Sequence, residues 1–134
     1  MKVLQLMWGG VIVICFLISG VYMSQILNPE NDLSLESMTF RANHIYLLMS
    51  GLVVIAWAQR TSLSDLTLCA WMNRCAGLLI CVAPVLFGFG FVLEAGQEDS
   101  QRLWTFYGVI IVFAGVVLSF LSTLIEILVR RQLE

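Results

Sequence analysis

From Val3 to Leu27 the chain runs without one charged side chain, and three further apolar stretches follow it. These cover about Phe40 to Ala58, Cys75 to Leu93 and Leu103 to Leu128. Each approaches or exceeds the roughly 20 residues that an α-helix needs to cross the hydrocarbon core of a bilayer. No water is present there to satisfy backbone N–H and C=O groups, so a span must close its hydrogen bonds internally, as a helix does. The runs predict an all-α polytopic membrane protein, a four-transmembrane-helix bundle forming a single domain over residues 1–134. Its spans are expected at about 3–27, 40–58, 75–93 and 103–128, with no soluble domain left over.

Composition points the same way. Of 134 residues, 60% are hydrophobic and 12% charged, about half the charged fraction of an ordinary soluble domain. A net charge of -2 without any basic run excludes nucleic acid as a partner. The partner the composition implies is the lipid bilayer itself. Lys2 followed by an apolar run is also the opening of a signal peptide. That run is longer than the ~7–15 residues typical of a signal core, so it reads as a span.

Charge also orients the chain. Lys2, Arg60, Arg74, Arg130 and Arg131 fall on one side of the four runs, and only Arg41 and Arg102 on the other. The positive-inside bias makes the first side cytoplasmic, with both termini there. Punctuation agrees: Asn28-Pro29 stops the first helix, Ser34 or Ser37 can cap the second, and Ser62 with Asp65 has capping-box-like spacing before the third. The stretch from Leu66 to Arg74 then becomes an interfacial turn leading into the third span. Pro84 is expected to bend that span, and Ala95-Gly96 to close it.

In lipid, small residues mark the faces along which helices pack. The fourth run carries Gly108, Val112, Gly115, Ser119, Ser122 and Glu126 at alternating spacings of four and three, one continuous stripe. Gly108, Gly115, Ser119 and Ser122 are therefore assigned to helix packing. Gln5, Gly9, Val13, Phe16 and Gly20 form a weaker counterpart in the first run. Glu126, at the inner end of the stripe, is a candidate inner acidic site; Arg130 one turn on is its simplest partner.

The stretch FRANHIY, Phe40 to Tyr46, concentrates polar groups at the start of the second run. An arginine at a helix centre costs ~2.5–3.5 kcal/mol on insertion scales, which puts Arg41 at the outer interface. His44 is one turn deeper, Glu94 ends the third run at that depth, and Tyr22 and Tyr107 are close by along the chain's path. Arg41, His44, Glu94, Tyr22 and Tyr107 thus form a candidate outer polar cluster, with an Arg41–Glu94 lock at its centre. On that reading Arg41→Ala loosens the outer end and Arg102→Ala does little. Cys15, Cys69, Cys75 and Cys81 lack ligand spacing and read as reduced packing residues. No nucleophile–base pair, phosphate loop or metal-ligand spacing occurs, so no catalytic residue, cofactor or metal is assigned.

The element Arg41-x-x-His44-Ile45-Tyr46, opening the second of four spans, is similar to one in small bacterial inner-membrane proteins. That resemblance covers mainly the second span and implies no activity. Arg41-Ala42 followed by Asn43 and His44 also resembles the membrane-associated eicosanoid and glutathione metabolism family. Ile45 and Leu48 stand where that family carries the asparagine and glutamate that serve glutathione, so the likeness fails at the site. Small multidrug exporters share only the size and span number, for their first-helix acid has no counterpart between Val3 and Leu27. The functional expectation is an accessory or structural membrane protein that packs against itself or another membrane protein. The alternatives are a small oligomeric transporter or channel using Glu126 and His44, and a binder or enzyme for a lipid-soluble ligand.

Overall fold

A computed structural model describes residues 2–26, 35–60, 66–94 and 102–133. They form four helices: α1, Lys2–Ile26; α2, Leu35–Gln59; α3, Thr67–Leu93; and α4, Leu103–Leu133. All four are long and apolar enough to cross a membrane. The chain is an all-α, multi-pass membrane protein whose helices pack as a four-helix bundle.

The helices outrun their apolar cores where the interface allows it. α3 starts at Thr67, before the apolar run that opens at Cys75, and in that first stretch Trp71 and Arg74 are exposed while Asn73 is buried. Its first cap position is Leu66, in extended backbone and without a side-chain cap. α4 continues past Leu128 through Arg130 and Arg131, cations placed where the negative end of the helix dipole favours them. Ser37 is buried in the first turn of α2. The caps expected at Ser34 and at Ser62 with Asp65, and the stops at Asn28-Pro29 and Ala95-Gly96, lie outside the described residues.

Helices adjacent in sequence are adjacent in space. α3 packs most closely on α4 and α1 on α2, with α2 and α3 as the central pair; α1 touches α3 only lightly. Small residues permit the closest approaches. A methyl group on Gly9 of α1 would lie 2.5 Å from Ile55 Cγ1 and 3.2 Å from the Gly51 carbonyl of α2. On α4, a methyl on Gly115 would lie 3.1 Å from the Ala76 carbonyl of α3. Apolar filling comes from Ile12, Leu47, Val54, Ile80, Ala83 and Phe87. In lipid this packing works by van der Waals contact rather than by escape from water.

Pro84 lies inside the unbroken helix α3. Proline has no N–H to give to the carbonyl four residues back. In that same turn the Trp8 indole Nε1 of α1 donates to the Cys81 carbonyl at 3.1 Å. The carbonyl that Pro84 leaves without its N–H is that of Ile80, so the Trp8 bond ties α1 to α3 beside the gap without filling it.

Candidate functional site

The inward edge of α2 reads Thr39, Asn43, Leu47, Ser50, Val54 and Ala58, all buried. Asn43, 1% exposed, is the polar centre of the end where α2 and α4 begin, the outer end of the orientation expected from charge. Its Nδ2 donates to the Gly90 carbonyl of α3 at 3.0 Å, and its Oδ1 lies 3.1 Å from Thr105 Oγ1 of α4. Thr105 Oγ1 also contacts Glu94 Oε2. Thr105 has one hydroxyl proton, so it can serve only one of these two oxygens at a time.

Glu94 sits one residue past α3, where its own N–H still bonds to the Gly90 carbonyl. Its carboxyl is buried and accepts from the backbone N–H groups of Trp104 and Thr105. These are among the first amides of α4, which have no partner inside the helix. The carboxyl therefore works as a cap supplied from a different helix, placed at the positive end of the α4 dipole. This outer joint binds α2, α3 and α4 together.

The expected Arg41–Glu94 lock is not formed. Arg41 is exposed, and Glu94 is taken by α4. The reason is azimuth: successive helical residues turn by about 100°, so Arg41 lies roughly 200° from inward-facing Asn43. Tyr22 and Tyr107 are also exposed, at 50% and 53%, and join no cluster with Arg41, His44 or Glu94. His44 does turn inward, but toward α1. Its ring stacks on Phe16 with centroids 4.0 Å apart, and its Nδ1 lies 2.9 Å from Ser19 Oγ. Ser19 Oγ also lies 2.9 Å from the Phe16 carbonyl. The one Ser19 hydroxyl proton serves either the Phe16 carbonyl, with Nδ1 then donating to Oγ, or Nδ1 itself, so the two bonds are alternatives set by the His44 tautomer.

At the opposite end, Arg60 follows the last residue of α2 and reaches across to α4. Its guanidinium donates to Ser119 Oγ and to Thr123 Oγ1, and it lies over the Trp57 ring with Cζ 5.2 Å from the centroid. Beside it, Ser122 is fully buried and donates to the Cys69 carbonyl of α3 at 3.1 Å. Gly108 packs against Phe87 and Gly115 against Ile80, so this stripe of α4 faces α3, with Ser119 half-buried under Arg60. Glu126 lies a turn beyond Ser122 and pairs with Arg130 at 3.1 Å. No group of three His, Cys, Asp or Glu close enough to hold a metal occurs among the described residues.

Asn43, Thr105, Ser19 and Arg60 are the site residues that sequence reasoning passed over. One signal was available for Asn43. It shares the spacing of four, three, four and four with Leu47, Ser50, Val54 and Ala58, a small-to-medium face that excludes Arg41. Comparison with protein-family models, curated proteins and solved structures gives no match, and function is argued from the chain's own geometry.

Proposed function

We propose that this chain is an accessory or structural protein of a bacterial inner membrane, acting by helix packing with another membrane protein or a second copy of itself. The observation that supports it is how polar groups within the spans are used. Asn43, Thr105, Glu94, Arg60, Ser119 and Ser122 all end on a neighbouring helix. The two groups a transporter could use are separately engaged at opposite ends, His44 with Ser19 and Glu126 with Arg130. α1 has the smallest buried share of the four spans and offers the largest free face. Gly10 on its outward side has nothing near the position a methyl would take, which is where a partner backbone could approach.

The orientation belongs to this reading: both termini cytoplasmic, with Lys2, Arg60, Arg74, Arg130 and Arg131 inside. A Ser34→Cys variant is expected to react with an impermeant maleimide only from the outer face; labelling from the cytoplasm alone would overturn the orientation. For the role itself, the tagged chain is purified from native membranes in mild detergent. A stoichiometric membrane protein, or a second copy, is expected to travel with it and to be lost on Gly10→Leu. Recovery of a lone monomer under all mild conditions would overturn the proposal.

A further inference from the structure

Beyond the Trp8–Cys81 contact, a groove of about 250 Å³ opens between α1 and α3. Val11, Cys15 and Ser19 of α1 form one wall, Val85 and Gly88 of α3 the other, and Leu47 of α2 the floor. Val11 and Val85 are both exposed, so the groove opens sideways, toward the lipid phase. A methyl group on Gly88 would meet nothing within 4 Å. Packed protein leaves few voids larger than a water, since atoms lining an empty space lose their contacts. An apolar void also stays free of water.

We propose that this groove holds one acyl chain of a membrane phospholipid, with its methyl end at Trp8 and its ester region beyond Ser19. Size selects the occupant. Trp8 and Ser19 are about 16 Å apart along α1 at 1.5 Å per residue, which makes the groove one hydrocarbon chain wide. A helix ~10 Å across over the same length would need several times that space. Polarity gives the direction. The wall that carries Val11, Cys15 and Ser19 continues outward to Tyr22, at an i,i+3 spacing, and then to Gln25. Both are exposed, so a phenol and an amide stand where the ester and headgroup of that chain would lie. The groove face of α1 lies about half a turn from Gly10, so the occupant leaves the proposed partner face free.

The test is native mass spectrometry of the full chain released from nanodiscs of phosphatidylethanolamine and phosphatidylglycerol. The wild-type chain is expected to keep one phospholipid through a delipidating detergent wash. Gly88→Phe, which fills the groove, is expected to lose it, whereas Val117→Phe on the outward face of α4 keeps it. Equal retention by Gly88→Phe, a bare wild-type chain, or retention of an isoprenoid quinone instead would each overturn the proposal. Should Gly88→Phe fail to fold, the wild-type thiols give a second readout. Added phospholipid is expected to slow maleimide modification of Cys15 in the groove while leaving exposed Cys75 reactive; equal slowing at both would overturn it.

Discussion

The two ends of the bundle hold their charges differently. At the outer end a carboxyl, Glu94, is gripped by the backbone amides of Trp104 and Thr105. At the inner end a guanidinium, Arg60, is gripped by the side-chain hydroxyls of Ser119 and Thr123. Each charge stands by the helix terminus of opposite polarity, Glu94 at the start of α4 and Arg60 at the end of α2. The difference lies in what remains when the charge is removed. Amides at a helix start are fixed in place and cannot turn to a new acceptor. Hydroxyls can, and Thr123 already bonds to the Ser119 carbonyl at 3.0 Å. The outer joint is the brittle one.

The largest effect is therefore expected from Glu94→Ala. It leaves the buried Thr105 amide and the part-buried Trp104 amide without their acceptor, while the Thr105 hydroxyl keeps Asn43, a loss of about 2 kcal/mol on the scale of charged hydrogen bonds and helix caps. Unfolding in detergent would measure it, and Glu94→Gln, which keeps an acceptor oxygen, should recover part of the loss. An equal, small effect of both variants would break the comparison. Arg60→Met comes next, at about 1 kcal/mol, within the range of interhelical polar contacts in lipid. The paired change Ser119→Ala and Thr123→Val should add little to it in a double-mutant cycle; full additivity would show that Arg60 does not depend on those hydroxyls.

Smaller effects sharpen the contrast between inward and outward groups. Arg102 donates to Thr39 Oγ1 at 2.6 Å, so Arg102→Ala should lower the melting temperature measurably. Arg41→Ala, at an exposed position, should leave it unchanged. That order reverses the one read from the sequence, and the original order would restore the Arg41–Glu94 lock. Between Arg102→Ala and Arg41→Ala falls Glu126→Gln, which removes an i,i+4 pair with exposed Arg130. About 0.5 kcal/mol or less is expected, shrinking further as salt is raised.

Depth was legible in the sequence, and azimuth was not. Hydrophobic length located the four helices, and charge marked their ends, because each property belongs to a run of residues. Glu94, His44 and Arg41 were placed near the outer end by the same logic. Which side of the helix each one faces depends on neighbours far away in the chain. Asn43 faces inward because Gly90 and Thr105 arrive from α3 and α4. The α4 stripe was readable because Gly108, Gly115 and Ser122 are small, and small residues announce close packing on their own. Arg60 gave no such sign. An arginine at a span end reads as snorkelling to water, and only the position of α4 turns it into a tie.

Both joints run through α4, the latest in sequence of the four described helices. α1, α2 and α3 can associate as they leave the ribosome, since sequence neighbours are packing neighbours. Until α4 arrives, however, Glu94 has no amides to accept from, and Asn43 and Arg60 have no hydroxyls to bond. A chain truncated before Leu103 would keep the Asn43–Gly90 bond and the Arg60–Trp57 stacking but lose every tie that these groups make to α4. Insertion of α4 thus ties up three polar groups at once, so these ties of α2 and α3 are complete only with the fourth helix in place.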